Sequence, residues 1–376
     1  MRLSDLPTPC LVLDRRVLAR NLSTMAAAVQ RRGAVLRPHM KTAKSIEVAR
    51  LALAQNQPNA SVEAGGITVS TLAEAEYFAG YGFNDILYAV GITPQKLDQV
   101  AKLNAAGAGV MVITDDPVVA DTIAAHTLAP RTLIEIDTGE HRGGLSPDDP
   151  LLIDIATRLG RNLAGVCTHA GHSYGARTPH ELAAIADAER LGALRATERL
   201  RAAGHAAPVV SIGSSPTALA QGGLAGVTEV RAGVYMFGDL FQAELGTHGP
   251  ADIAVSVLCS VIGHRAQQGC LLIDAGSLAL SKDRSTDATG NDQGFGLVVD
   301  MLGGRSLGRS VVARVYQEHG IIQLDPARAG YMPPIGTKLR VLPNHVCLTA
   351  AAHDRYFVVD DDGETVTAVW PRVNGW

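Results

Sequence analysis

An α/β fold is predicted, a (β/α)8 TIM-like barrel followed by an all-β domain, and three observations predict it. Short apolar runs alternate with amphipathic helical runs through the first two-thirds of the chain. Eight such runs fall within about 230 residues, the repeat of a barrel whose function sits at the carboxyl ends of its strands. From about residue 249 the texture changes to short strands with turns between them, which marks a second domain. The expected organisation is an N-terminal segment, 1–15, packing with the β domain, then a barrel over 16–247 and the β domain over 248–376. A doubly wound open sheet stays compatible with the same periodicity, which does not report closure.

Taken in order, Leu6-Pro7-Thr8-Pro9 is held extended by its prolines, and Cys10-Leu11-Val12-Leu13-Asp14 reads as a strand leading into a helix near Arg16. Strand candidates follow at 34–36, 60–63, 86–90, 109–113, 132–136, 164–168, 208–212 and 228–231. Between most of them lie helical runs such as 71–78, 117–126, 150–158 and 179–203. In the last third, strands are expected at 253–261, 269–273, 307–316, 337–342, 356–359 and 365–369. Residues 281–304, rich in Gly, Asp, Ser and Thr, read as a long loop, either a lid or binding loop or a disordered insertion.

Composition narrows the function classes. Hydrophobic residues make up 47% of the chain and charged residues 19%, the balance of a globular protein with ample core. The net charge is -4 with no long basic run, so a nucleic-acid partner is not expected. No run is long and apolar enough for a membrane span. The N-terminus carries no signal-peptide pattern, and the five cysteines are odd in number and scattered, so a cytoplasmic protein with reduced thiols is expected.

The chemistry-bearing residues collect at strand ends. The run Val35-Leu36-Arg37-Pro38-His39-Met40-Lys41 is a strand, a polar tip and the start of a helix. Lys41 there is either a solvated lysine or one placed to hold pyridoxal phosphate (PLP). Later strands end in Asp137-Thr138-Gly139-Glu140-His141-Arg142, in His169-Ala170-Gly171-His172-Ser173-Tyr174, in Gly213-Ser214-Ser215 and in Arg231-Ala232-Gly233-Val234-Tyr235. In a barrel these tips share one mouth. The two glycine turns suit a phosphate, because backbone amides approach an anion closely where no side chain intervenes. Far along the chain, Pro343-Asn344-His345-Val346-Cys347 places an imidazole and a thiol two apart. On a strand the two side chains share a face, where they grip one ion, zinc being favoured by that donor pair, or pack as half-buried core. His353 is either a third ligand or a local hydrogen-bonding residue.

Together these motifs resemble the D-serine dehydratase and D-threonine aldolase family, alanine-racemase-like PLP enzymes that also bind a divalent metal. The resemblance rests on Thr8-Pro9, Arg37-Pro38-His39-x-Lys41-Thr42, Asp137-Thr138-Gly139-x-x-Arg142, His169 to Tyr174, Glu229-Val230-Arg231-Ala232-Gly233-x-Tyr235-x-Phe237-x-Asp239, and Pro343-Asn344-His345-x-Cys347. It implies Lys41 as the PLP Schiff-base lysine and base, Arg142 on the phenolic oxygen, His169 against the pyridine face, and Ser214, Gly233 and Val234 on the phosphate. Tyr174 and Tyr235 join the cofactor contacts, and His172 joins Lys41 in catalysis. His345 and Cys347 match the metal ligands, with Zn2+ expected and Mn2+ or another divalent ion as alternatives. Arg231 sits where alanine racemase has an arginine on the pyridine nitrogen, or is a helix or interface residue.

The reaction the resemblance implies is dehydration of D-serine or D-threo-3-hydroxyaspartate to a keto acid and ammonia. Cys347 and the His172-Ser173-Tyr174 run favour it over the retro-aldol cleavage of a D-threonine aldolase, whose metal pair resembles His-x-Asp. A racemase and a non-catalytic PLP carrier are further alternatives. Basic residues Lys282, Arg284 and Arg177 are candidates for a second substrate carboxylate, and a homodimer is implied.

Overall fold

The computed structural model describes residues 1–55, 66–304 and 306–376. The chain forms two compact units, Met1–Leu22 with Val234–Arg372, and Ser23–Gly233 with Val373–Trp376. The division falls at 233/234 and not near 247/248. The cause is local: the N–H groups of Leu240 and Phe241 donate to the carbonyls of Pro343 and Asn344, and Asp239 accepts the N–H of Val346. That stretch is thereby tied to the β unit. The first strand, β1 (Cys10–Asp14), also belongs to the β unit's sheet.

In the second unit eight parallel strands, β2 (Val35–Pro38), β3 (Ile67–Val69), β4 (Ile86–Gly91), β5 (Val110–Thr114), β6 (Thr132–Ile136), β7 (Leu163–Thr168), β8 (Val209–Ile212) and β9 (Glu229–Ala232), lie in the order β2-β9-β8-β7-β6-β5-β4-β3. The sheet comes round on itself where His39 bridges Thr68 and the Met40 N–H reaches the Thr68 carbonyl at 2.8 Å. The strand expected at 60–63 lies outside the described residues. The strand next to β4 is Ile67–Val69, only three residues long and too short to show a period.

Sequence punctuation explains the helices around this sheet. Thr71 accepts the Glu74 N–H, Asp116 accepts from Val118 and Val119, and Thr178 forms a capping box with Glu181. Pro117 and Pro179 occupy first turns, where the missing N–H costs nothing. Inside, Leu87, Met111, Ile113, Leu133, Ala164 and Cys167 form one apolar cluster. Another part of the unit is polar: the buried Arg37 guanidinium holds Asp85 through two bonds of 3.0 Å and Glu229 through Nε at 2.7 Å. Burial opposes charge on Arg37, but Glu229 and Asp85 outweigh it and raise its pKa.

The β unit contains β10 (Val255–Arg265), β11 (Cys270–Ile273), β12 (Leu297–Asp300), β13 (Val311–Val315), β14 (Gly320–Gln323), β15 (Lys338–Leu342), β16 (Arg355–Val359) and β17 (Val366–Pro371). Pairing runs β11-β14-β13-β12-β15-β10 and returns from β10 to β11, so six antiparallel strands close a small barrel. Strands β1, β16 and β17 extend the sheet from β10. Two strands depart from expectation. β12 lies inside the supposed loop, where Leu297, Val298 and Val299 are all buried and so show no alternation. β14 forms only by pairing with β13 and β11.

Candidate active site

The tip after β2 is built on a buried floor of Met40, Thr42, Ala43 and Ser45. Lys41 stands exposed above it, its N–H donating to His39 Nδ1 at 3.4 Å. The neighbouring Lys44 is engaged elsewhere, 3.3 Å from the buried Glu74 carboxylate. Lys41 has no ion-pair partner among the described residues. Burial, then the charges of Lys41, Arg231 and His169, push the His39 pKa well below its usual value, so that imidazole is neutral.

Four other tips of the same sheet carry the remaining barrel residues. After β6, Asp137 Oδ1 accepts the N–H groups of Gly139 and His141, which folds the turn that presents Arg142, exposed and 3.4 Å from Glu140. After β7, His169 Nδ1 donates to the Gly213 carbonyl at 2.8 Å. Burial and then the Lys41 charge lower the His169 pKa to about 3, so its ring is neutral with one tautomer held. His172 follows in a short 3-10 turn, its Nδ1 buried without a hydrogen-bond partner among the described residues, and Tyr174 is half-buried in the same turn.

After β8, Gly213 takes φ +129, and a Cβ there would stand 2.3 Å from the Arg231 carbonyl; only glycine fits. The Ser214 hydroxyl meets Ser173 Oγ at 2.9 Å and Thr217 Oγ1 at 3.0 Å. At the end of β9, a Cβ on Gly233 would lie 2.9 Å from the His39 carbonyl. Arg231 lies on β9 and not on a helix, and its buried fork donates to Ser211 Oγ and to the Thr168 carbonyl. The structure thus brings Lys41 and Arg231 into electrostatic range of both His39 and His169, and Arg142 into range of His169.

Sequence reading missed Glu189. This buried carboxyl accepts the N–H groups of Ala170 and Gly213 through one oxygen, at 3.0 and 2.9 Å, and so ties two tips together. Desolvation raises its pKa. No sequence signal marks it, because it lies within a long helix (Pro179–Ala202) among other charged positions.

In the β unit, Val234 and Tyr235 open a buried 3-10 turn, Val234–Met236. Burial raises the Tyr235 phenol, and its carbonyl accepts from His248 Nε2 at 3.0 Å. The His345 and Cys347 pair does not lie on a strand. Strand β15 ends at Leu342, and His345 is the N-cap of a helix, Val346–Ala351. Pro343 and Asn344 turn the chain there, their carbonyls being taken by the N–H groups of Leu240 and Phe241. The two side chains still meet, through a hydrogen bond between imidazole and thiol. His353 Nε2 bonds not to a sequence neighbour but to the carbonyl of Ala279, 74 residues earlier, at 3.0 Å.

A second residue missed by the sequence completes this tip. Asp283 Oδ2 lies 2.6 Å from His345 Nδ1. Burial would lower the His345 pKa, but the bonds to Asp283 and Cys347 outweigh it and raise the value to about 11; Asp283 is lowered, first by its bond to His345. Among the described residues no cluster of three or more His, Cys, Asp and Glu side chains is arranged to hold a metal, which leaves a two-residue donor set. No disulfide competes for Cys347, since all five cysteines are free; the other four are buried and Cys347 is half-buried.

Comparison with known proteins agrees across both units. The alanine racemase N-terminal domain matches residues 13–240, and the putative serine dehydratase domain matches residues 254–359. D-threo-3-hydroxyaspartate dehydratase of Delftia sp. (strain HT23) is 45% identical, covering 100% of this chain and 99% of that protein. The chain belongs to the D-serine dehydratase and D-threonine aldolase family. Within that family, D-serine dehydratase of Dictyostelium discoideum is 30% identical over 98% of each chain. Among solved structures, a cysteine-to-alanine mutant of D-threo-3-hydroxyaspartate dehydratase in the metal-free form superposes with a TM-score of 0.94 at 43% identity, covering all of both chains. Family members of this kind are lyases, and the barrel-plus-β-barrel architecture is that of their alanine-racemase-like fold.

Proposed function

We propose that this protein is a lyase that dehydrates D-3-hydroxy amino acids, D-threo-3-hydroxyaspartate and D-serine in particular, using pyridoxal 5'-phosphate and a divalent metal, zinc before manganese. The observation that carries the reading is the 45% identity over the whole chain to a D-threo-3-hydroxyaspartate dehydratase. When bound, PLP draws electrons from Cα and the metal polarises a β-hydroxyl, the chemistry that loss of water requires.

The residues present fit both groups. Lys41 is an exposed amine with no ion-pair partner among the described residues, beside neutral His39 and His169. Gly213 and Gly233 let the β8 and β9 tips pack against the Arg231 and His39 carbonyls more closely than any side chain would allow, and close-set glycine turns of this kind suit a phosphate. An imidazole and a thiol are donors of the softness that suits zinc.

The side chains divide the work as follows. Lys41 would carry the cofactor and, once released from it, take the α-proton on Nζ. Arg142 would hold the phenolic oxygen; Ser214, Gly233 and Val234 would hold the phosphate, with Tyr174 and Tyr235 as further cofactor contacts; and His169 would set a neutral ring against the pyridine. His172 would serve as a further proton-handling group, and His345 and Cys347 would hold the metal. The electron pair of the Cα–H bond forms a Cα=Cβ bond as the hydroxyl leaves with a proton as water. The released enamine tautomerises and hydrolyses to ammonia and a keto acid, oxaloacetate from hydroxyaspartate and pyruvate from D-serine.

Purified protein supplied with PLP and zinc is incubated with D-threo-3-hydroxyaspartate, D-serine and D-threonine. Keto acid with ammonia is expected; glycine with an aldehyde sinks the dehydratase reading in favour of the aldolase. Prolonged EDTA treatment is expected to abolish turnover and zinc to restore it. Turnover that persists in protein shown to be metal-free overturns the metal assignment. We further read the protein as a cytoplasmic homodimer, which light scattering tests against a chain mass of 39.4 kDa.

A further inference from the structure

The segment read from sequence as a lid or a disordered insertion is bound to the candidate metal tip by side chains, and the pattern of those bonds is specific. His345 Nδ1 donates to Asp283 Oδ2 at 2.6 Å. Asp283 is itself fixed, its Oδ1 accepting from Ser285 Oγ at 2.6 Å and its N–H donating to Ser281 Oγ at 3.2 Å. One residue before His345, the buried Asn344 amide makes three bonds to the same segment: Oδ1 accepts the Thr286 N–H at 3.1 Å, and Nδ2 donates to Thr286 Oγ1 and to the Gly294 carbonyl, both at 2.7 Å. Thr286 in turn holds Thr289 and Gln293. The 283–294 stretch is therefore cross-linked to the two residues that open the His-x-Cys motif.

An imidazole offers a metal only one lone pair, and the hydrogen bond made by the other nitrogen decides which. With Nδ1–H committed to a carboxylate, Nε2 is the free donor, and its basicity rises; outer carboxylates of this kind are worth about 10- to 100-fold in metal affinity. His345 also hydrogen-bonds with the Cys347 thiol, so the two candidate donors adjoin before any ion arrives.

We propose that Asp283 is a positioning residue for the metal. It fixes the His345 tautomer and ring orientation, and with Asn344 it makes the order of the 283–294 segment and metal affinity a single linked equilibrium. This rests on the reading of His345 and Cys347 as metal ligands. The linkage works in both directions: a segment held in place lowers the cost of orienting His345, and a bound metal that needs His345 oriented holds the segment.

The test uses the full-length PLP-loaded protein stripped of metal, titrated with Co2+, whose visible and thiolate charge-transfer bands report its ligands. Wild type, Asp283→Asn and Asp283→Ala are compared. Asp283→Ala is expected to weaken Co2+ binding about 10- to 100-fold. Asp283→Asn, whose amide oxygen still accepts from Nδ1–H, is expected to recover part of that loss. Backbone hydrogen exchange over 283–294 is expected to slow when Co2+ is added to wild type and not to respond in Asp283→Ala at the same metal concentration. An unchanged PLP absorbance band controls for an intact barrel, and if Asp283→Ala does not fold, the Asp283→Asn titration and the wild-type exchange experiment decide. Wild-type affinity and spectrum in Asp283→Ala, or in Asp283→Asn should it stand alone, together with metal-insensitive exchange in wild type, overturn the proposal. No thiolate band in wild type at saturating Co2+ overturns the ligand assignment itself.

Discussion

Two lysines three positions apart, Lys41 and Lys44, show how neighbours with the same chemistry take different tasks. Lys44 adopts φ 49 and spends its charge on the buried Glu74, whereas Lys41 stays exposed. Lys41→Ala is expected to lose the visible band of bound PLP and at least about 10²- to 10⁴-fold in turnover, the usual worth of a positioned base; an unchanged spectrum after dialysis disproves its role. His169 carries a pH signature. Its pKa falls to about 3 in the folded chain against about 6.5 in an unfolded one, so between those values the unfolded state binds more protons. Stability therefore rises with pH across that window and is lost as pH falls through it. His169→Gln is expected to flatten the denaturation-midpoint profile between pH 4 and 6.5, and an unaltered slope refutes the assignment. Lys41, His169, His345 and Cys347 stand out as candidates in the sequence because their motifs are local. Asp283 and Glu189 do not, because their partners lie 62 and 19 or more residues away, and nothing local marks a carboxylate that will be buried.

At the level of elements, what was legible were strands with a clean apolar run and helices with a cap. Thr71, Asp116 and Thr178 announce helices because their side chains satisfy N–H groups within the same turn. β3, β12 and β14 escaped notice because three or four residues carry no period and their stability comes from partners remote in sequence. The His345-x-Cys347 motif misled in another way: two-residue spacing suits a strand, yet Pro343 and Asn344 end β15, and the pair converges from a helix cap instead. Gly213 tests how firmly the β8 tip is set. Gly213→Ala puts a Cβ against the Arg231 carbonyl at a φ that L residues avoid, and is expected to weaken PLP binding measurably by fluorescence titration while lowering the melting temperature. Unaltered cofactor affinity shows the tip to be compliant.

For the molecule as a whole, alternation of strands and helices foretold the barrel, but not its closure, which depends on His39 and Met40 meeting Thr68. Nor did it foretell the ionic strut. Removing one member of a buried ion pair leaves the others uncompensated, at roughly 3–5 kcal/mol. Arg37→Ala is expected to shift the urea midpoint accordingly, and adding Glu229→Gln to recover part of the loss; a shift below about 1 kcal/mol removes the strut from the account of stability. The distribution of cysteines has a practical consequence. Burial lifts the Cys10 and Cys167 thiols to about 12 and raises Cys259 further from its usual value, while Cys270 is buried against Gln268 and Gln323. In the native protein a thiol-specific chromogen should therefore titrate one fast equivalent per chain, at Cys347, and that equivalent should vanish as metal is added. A simple colour reaction then counts occupied metal sites without following the lyase reaction at all.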